Sequence, residues 1–316
     1  MIDSPLVSII CTAYNHEAFI KDALEGFVIQ KTNFPFEIIV HDDASTDNTA
    51  NIIRVYEAKY PELFINIYQT ENQYSKGNGD VAKIVFSAAR GKYIALCEGD
   101  DYWTDPYKLQ KQVDFLEANK DFIMCFHPVN VVYEGNVSRS YPYAPANEIS
   151  VTEDIINNHF IPTLSLVFRN ILPKKFPKWF HKIKSGDVAL ELILSLNGKV
   201  YKFDQEMGVC RRHIKGISNN AEQQKYWQFP RIELLVYFNR YSKYVYNVTI
   251  KNYFIRNIRS LVEVIKNDEK GVFNRTTKLT CYFFKTAYLI LPSNLIEVHF
   301  FIEFLKHYIY VTFNKT

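Results

Sequence analysis

Short uninterrupted apolar runs alternate with stretches of helical spacing through the first hundred residues. Leu6 to Cys11, Glu37 to His41, Phe64 to Gln69 and Tyr93 to Cys97 are such runs, rich in Ile and Val and closed by polar residues. Runs of this length predict strands buried on both faces, as in a parallel sheet. Amphipathic segments lie between them. From about His16, the residues Phe19, Ile20, Ala23, Leu24, Phe27 and Val28 recur on one helical face. A second helix follows Asp47 and stops at Pro61, and a third spans 80–90. Strands alternating with helices of this length predict βαβ units and a mostly parallel sheet wound right-handedly.

Beyond Trp103 the pattern loosens. Asp105-Pro106 opens a helix to about Asn119, and Phe122 to His127, Val129 to Tyr133 and Ile161 to Phe168 read as strands. Gly186-Asp187 opens a helix from Val188 to Leu196, and Val200 to Phe203 and Gly208 to Arg212 read as a final pair of strands. From about Trp227 the chain turns helical. Ile250, Phe254, Ile258, Leu261 and Ile265 form one stripe, with Arg256, Arg259 and Lys266 opposite. This predicts an α/β domain over 1–218 and a helical, aromatic and basic region over 219–316.

Composition adds an asymmetry. The 316 residues carry a formal net charge of +3, yet residues 221–316 hold 14 Lys+Arg against 7 Asp+Glu, so the first part is net acidic. An acidic α/β part and a basic tail fit an anionic surface or partner for the tail. Five cysteines, widely spaced and without a C-x-x-C pair, read as reduced core residues of a cytoplasmic protein. The N-terminus has Asp3 and Pro5 and no basic region, so no signal peptide is expected, and no apolar stretch reaches the ~18 residues of a membrane span.

The chemistry concentrates at the ends of the predicted strands. Glu98-Gly99-Asp100-Asp101 puts three carboxylates within four residues directly after a buried run. Their mutual repulsion and desolvation oppose folding, whereas a divalent cation shared with a charged ligand would offset both. Asp42-Asp43 with Ser45 ends a neighbouring strand, and Thr12, Tyr14 and Asn15 follow the first. Carboxyl ends of strands in an open α/β sheet form the ligand crevice. There Tyr14 can lie against a flat base, Asn15 or Thr12 can hydrogen-bond it, Asp42 or Asp43 can accept a donor, and Asp100 can accept ribose hydroxyls. Asp101 can hold a cation bridging a diphosphate. A helix cap or Asx turn remains the competing use of Asp43, Ser45 and Thr46. Gly77-Asn78-Gly79 follows a loop and lacks a third Gly, so it is not a dinucleotide fingerprint, and no P-loop motif occurs.

Three segments together resemble family 2 glycosyltransferases of the GT-A fold. They are Pro5 to Asn15, Asp42-Asp43-Ala44-Ser45-Thr46-Asp47, and Gly91 to Trp103 with its Glu98-Gly99-Asp100-Asp101 core. The likeness covers roughly residues 5–215 and implies a Rossmann-like sheet between helices and an inverting sugar transferase. It further implies a nucleotide-diphospho-sugar donor, UDP first among the nucleotides, with Mn2+ or Mg2+ as cofactor. Thr12, Tyr14, Asn15 and Asp43 match nucleotide-contacting positions, and Asp100 and Asp101 match the aspartates of the D-x-D-type motif. Glu98 stands where many members carry Asp, so Glu98, Asp100 and Asp101 all remain candidate cation ligands. Asp187 falls where the family places its catalytic base, although an Asp after Gly is otherwise more often a helix cap. Arg211-Arg212-His213 resembles an Arg-x-His segment, offering Arg211 or His213 to the diphosphate or cation; a solvated basic turn is the alternative. Thr163 and Ser165 are candidates for an acceptor pocket or a plain strand edge.

The expected acceptor is a hydroxyl of a glycan or lipid-linked glycan in surface-polysaccharide synthesis. The tail either packs on itself and on the first domain or docks on the inner face of the cell membrane, basic residues at anionic headgroups. No nucleic-acid-binding module is visible. Two rivals stand beside the transferase. A sugar nucleotidyltransferase would need a Gly-rich basic loop after the first strand, which Thr12 to Glu17 lacks. A non-catalytic glycan- or membrane-binding protein on the same scaffold would show no cation-dependent nucleotide binding.

Overall fold

Val7–Ala13 (β1) and Phe36–Asp42 (β2) are buried along almost their whole length and pair in parallel, with Ala13 opposite Asp42. Ile20–Val28 (α1) connects them and buries Ile20, Ala23, Leu24 and Phe27 against the sheet. Thr49–Lys59 (α2) follows, then Phe64–Tyr68 (β3) beside β2, Asp80–Ala88 (α3) and Tyr93–Leu96 (β4) beside β1. Tyr102–Trp103 (β5) and Lys108–Ala118 (α4) come next, then Phe122–Phe126 (β6), Asn130–Tyr133 (β7), Ile149–Ser150 (β8), Thr152–Asn157 (α5), Val167–Arg169 (β9), Gly186–Ser195 (α6), Lys199–Lys202 (β10) and Gly208–Arg212 (β11).

The computed structural model describes residues 4–77, 80–134, 143, 146–173, 176–183, 185–214, 216 and 228–266. Eight strands form one sheet in the order β3-β2-β1-β4-β9-β6-β10-β8, and β5-β11-β7 form a second. The four leading strands are parallel, and β9 runs antiparallel between β4 and β6. The fold is thus α/β, a large and mostly parallel sheet flanked by helices, as the alternation of periods implies.

The N-terminal strand ends are held by a buried carboxylate. Glu37 on β2, 1% exposed, accepts the Ser8 hydroxyl at 2.6 Å and the Arg90 guanidinium. Gly91 donates its N–H to the same hydroxyl at 2.8 Å. A Cβ at Gly91 would lie 2.5 Å from the Ser8 nitrogen, so only glycine lets β4 enter the sheet there.

Several expectations differ in detail. The helix expected from His16 begins at Ile20, because His16 to Phe19 form a turn in which Phe19 and Ile20 donate to the His16 carbonyl. Only Val167–Arg169 of the run from Ile161 is strand, since Thr163–Ser165 form a 3-10 turn. β10 and β11 do not pair. They belong to different sheets. Periodicity did not reveal β5, β8 and α5, each too short to carry a period.

The chain divides into two compact units, Met1–Asn220 and Ala221–Thr316. In the second, Gln228–Tyr241 (α7) buries Ile232, Leu234, Leu235, Val236 and Phe238, and Asn247–Lys266 (α8) buries Ile250, Tyr253 and Phe254. The remainder of the expected stripe and the aromatic segment from Cys281 lie outside the described side chains. No helix among the described residues is long and apolar enough to cross a membrane.

Candidate active site

The turns at the carboxyl ends of β1, β2 and β4 are stitched to one another by backbone. Asp43 donates its N–H to the Ala13 carbonyl and Gly99 to the Thr12 carbonyl, each at 2.9 Å. Gly99 sits beneath the first turn, where a Cβ would come within 2.9 Å of Ile20 and 3.0 Å of His16. This close approach brings the acidic turn after β4 against the turn after β1.

Side chains then tie the first turn to the second. Asn15, at φ 55°, accepts the Thr46 N–H at 2.8 Å through Oδ1, and its own N–H donates to the Ser45 hydroxyl at 2.9 Å. Asp47 accepts the Glu17 N–H and the Thr49 N–H, so it caps α2 while clamping the first turn. Asn15 Oδ1, the Ser45 hydroxyl and the Asp47 carboxylate are therefore engaged in turn architecture. Tyr14 is the exposed exception, with 45% of its surface free beside this clamp. Thr12 is half-buried beneath it.

Asp42 and Asp43 have different surroundings. Asp43, 4% exposed, accepts the N–H groups of Gln73 at 2.7 Å and Tyr74 at 2.9 Å, which fixes the 72–77 loop over the strand ends. Asp42 accepts the Ser45 N–H at 3.2 Å through Oδ2, while its buried Oδ1 has no partner in the structure. An unpartnered carboxylate oxygen costs folding energy and is a recognised mark of a site built for a ligand.

The three carboxylates after β4 have distinct surroundings. Asp100 meets His213 Nε2 at 3.0 Å and His16 Nε2 at 4.0 Å through the same Oδ2. Burial works to raise its carboxyl, but the His213 hydrogen bond and the two imidazoles outweigh it, so Asp100 stays below the ordinary carboxylate range. Asp101 faces the other way. Its Oδ1 accepts the Arg211 N–H at 2.7 Å, and burial, then the charges of Asp100 and Glu98, push it well above the ordinary range. Glu98 is pushed up to about 8 by burial first and by Asp100 second, with the Thr163 side chain hydrogen-bonding it in opposition. Its Oε2 is buried without a partner.

Arg211 acts as a brace. Its guanidinium bonds the Asp100 carbonyl at 3.1 Å, pairs with Asp22 on α1 and with Glu134 at 3.3 Å, and stacks over Tyr102 at 4.5 Å. Arg211, expected to reach a diphosphate, thus uses Nε and one N–H on each of its terminal nitrogens to pin β11 to the acidic turn. Ser165 is engaged as well. It is fully buried, and its hydroxyl donates to the Pro162 carbonyl at 2.6 Å, so it faces no acceptor.

Asp187 lies in the first turn of α6, half-buried, and no side-chain cap closes that helix end. Its charge raises both Tyr74, after burial, and Glu98, after burial and Asp100. Asp187 thus shares its surroundings with the loop held by Asp43 and with the acidic turn. His16 escaped the sequence reading. Its ring is 6.4 Å from that of His213, burial lowers it first, and its Nδ1 is buried without a partner. The signal available was its position one residue after Asn15, on a turn already marked as functional.

A buried polar relay supports the acidic turn from below. Trp103 Nε1 donates to the Leu164 carbonyl at 2.7 Å, and Gln112 Nε2 donates to the Ser165 carbonyl at 2.9 Å. Lys108, fully buried, donates to Gln112 Oε1 at 2.7 Å and lies 4.1 Å over the Trp103 ring. Burial pushes its ammonium down to about 7. The folded value lies below the ordinary unfolded value of about 10.4, so the unfolded chain binds more protons between them. Lys108 therefore opposes folding at full strength below pH 7, and stability rises as pH climbs from 7 towards 10. The expected slope is about 1.4 kcal/mol per pH unit at most, and denaturation midpoints for Lys108→Met should lack it. An equal slope in that variant would assign the titration elsewhere.

The donor set fits a hard cation. Asp100 offers an ionised carboxylate with an imidazole nitrogen 3.0 Å away, and Glu98 and Asp42 each hold a buried oxygen without a partner. Among the described residues, no group of three or more His, Cys, Asp or Glu side chains is arranged as a complete metal site. Mg2+ and Mn2+ commonly take only one or two carboxylates and complete their shell with phosphate oxygens and water.

Known proteins resemble this chain in sequence and in fold. The sequence profile of glycosyl transferase family 2 matches residues 8–176. Uncharacterized protein Rv1520 of Mycobacterium tuberculosis is 40% identical over 226 residues, which cover 70% of this chain and 64% of that protein. The chain thus spans less than two thirds of that relative's length. The Escherichia coli UDP-Glc:alpha-D-GlcNAc-diphosphoundecaprenol beta-1,3-glucosyltransferase WfaP is 36% identical over 117 residues, covering 37% of this chain and 43% of WfaP. Among solved structures, residues 1–349 of Staphylococcus aureus TarS in complex with UDP-GlcNAc match with a TM-score of 0.69 at 17% identity. That match covers 90% of this chain and 81% of the TarS chain, and at this identity it shows the shared fold alone. With the profile spanning more than half of the chain, and with the acidic turns placed at adjoining strand ends, the chain belongs to glycosyl transferase family 2.

Proposed function

We propose that the protein is an inverting glycosyltransferase that moves a sugar from a nucleotide-diphospho-sugar to a hydroxyl of a glycan or lipid-linked acceptor. The observation that carries the reading is the convergence of Asp43, Asp100 and Asp187. Asp43 holds the Tyr74 amide, Asp187 acts electrostatically on Tyr74 and Glu98, and the charge of Asp100 raises Glu98. Three acidic groups from three elements thus bear on the same neighbours, Tyr74 and Glu98, near the carboxyl ends of the strands, where open α/β sheets bind ligands.

Within it, Tyr14 offers an exposed ring to a base, and Asp43 with Thr12 forms the floor beneath the nucleoside. Asp100 and His213 would hold a Mn2+ or Mg2+ ion, which when bound neutralises charge on the leaving diphosphate. Asp101, expected from its motif to touch the cation, is better suited to fix Arg211 and so hold His213 in place. Asp187 takes the proton of the acceptor hydroxyl as that oxygen attacks the anomeric carbon and the nucleoside diphosphate departs from the opposite face. Glu98, protonated at neutral pH, can donate a hydrogen bond without adding charge beside Asp100. Support for UDP comes from the WfaP donor and the TarS complex, and support for a lipid-linked acceptor comes from the WfaP acceptor.

A panel of UDP-, GDP- and dTDP-sugars with and without Mn2+ tests the reading by thermal shift and by release of nucleoside diphosphate. One UDP-sugar should raise the melting temperature only when Mn2+ is present, by the equivalent of about 2–3 kcal/mol at a hundredfold excess over Kd. No stabilisation and no turnover with any donor would refute it.

A further inference from the structure

The turn joining α7 to α8 presents an apolar tip that the catalytic reading does not use. Tyr244, Val245 and Val248 are 50%, 75% and 71% exposed, and Tyr241 beside them is 39% exposed. This is a contiguous cluster, unlike the single exposed apolar residues common on any surface. Its underside is firmly built. Ser242 donates its N–H to the Phe238 carbonyl and its hydroxyl to the Asn239 carbonyl, and Tyr244 donates its N–H to the Asn239 carbonyl at 2.7 Å. Asn239 Nδ2 reaches Asn247 Oδ1 at 2.9 Å across the turn, and Phe238 stacks on Tyr246 at 5.7 Å.

Lys243 and Tyr244 both adopt left-handed φ, 54° and 65°. Two consecutive side-chain-bearing residues there are unfavourable where glycine would serve a plain connection. The turn is therefore a fixed projection carrying Tyr and Val outward. Charge selects its partner. Leu234 to Val262 contains no Asp or Glu, while Arg240, Lys243, Lys251, Arg256 and Arg259 fall within it. Arg240 and Lys243 are exposed on the turn itself. An apolar tip with tyrosines, flanked by the exposed Arg240 and Lys243 and free of acids for 29 residues of sequence, is complementary to the interface of an anionic bilayer.

We propose that the α7–α8 turn is a membrane-docking tip, with Tyr244, Val245 and Val248 in the interfacial layer and Arg240 and Lys243 at the level of anionic headgroups. This inference does not rest on the catalytic reading, and its test reads lipid binding alone. The full chain is sedimented with vesicles of phosphatidylglycerol and phosphatidylcholine, and with phosphatidylcholine alone. The wild-type protein should pellet with the anionic vesicles and be released by high salt. Val245→Ser with Val248→Ser, and separately Arg240→Glu with Lys243→Glu, should each lower the bound fraction at least about tenfold with unchanged circular dichroism and melting temperature. Equal binding by the wild type and both folded variants would overturn the proposal. So would absence of anionic-vesicle binding, including the case where sedimentation velocity shows that the variants lose self-association instead. A variant that does not fold is replaced by Tyr244→Ser, at an exposed position where loss of the core is not expected.

Discussion

Asp100→Asn should reduce sugar transfer by about 10²–10³-fold or more while the protein keeps its fold. The substitution preserves shape and removes the charge that both His213 and His16 face through Oδ2. With it goes the group best placed to hold a cation against a diphosphate, so Mn2+-dependent thermal stabilisation by the donor should vanish as well. Asp101→Asn is the informative comparison. Its Oδ1 accepts an N–H from Arg211, and an amide oxygen can accept that same bond. Asp101→Asn should therefore retain cation-dependent donor binding and lose transfer only in part. The reverse ranking, with Asp101 essential and Asp100 dispensable, would move the cation to Asp101 and overturn the assignment of His213.

Asp187→Asn should lower kcat by about 10²–10⁴-fold and leave the donor Kd within a factor of about two. Asp187 is half-buried at an uncapped helix start, and its charge raises both Glu98 and Tyr74. A helix cap in that position would matter to stability, and losing it would cost about 1 kcal/mol. A general base would matter to turnover instead. Single-turnover transfer and isothermal titration with the intact UDP-sugar separate the two. Loss of donor affinity at normal stability would reassign Asp187 to donor binding, and loss of stability at normal kcat would return it to capping.

Much of the first 130 residues was legible because burial on both faces leaves a plain mark. β1, β2 and β4 are continuous apolar runs, and each ends where the polar cluster begins. Legibility failed where elements are two or three residues long, as at β5 and β8, or where neighbours in sequence separate in space, as β10 and β11 do. Local periodicity contains no information about which sheet a strand will join. Within the site, residue types were readable and their loyalties were not. Asn15 and Ser45 have the chemistry to hold a nucleoside, yet their polar atoms bind each other's turns. Asp100 and Asp101 are adjacent and chemically identical, but one faces two imidazoles and the other a backbone amide.

What the sequence determined by itself is the inventory: buried strands, each handing over to acidic or polar turns, and a basic, acid-poor region after them. Those properties follow from hydrophobic spacing and charge, which are local. Only the tertiary structure decided which carboxylate is turned to its neighbours' imidazoles, that Arg211 braces β11 against the acidic turn, and that His16 belongs with His213. These depend on contacts between residues about two hundred positions apart, such as Asp22 with Arg211. Such contacts exist only once packing has fixed the register of the strands, because hydrogen bonds and ion pairs act over a few ångströms and not along the chain.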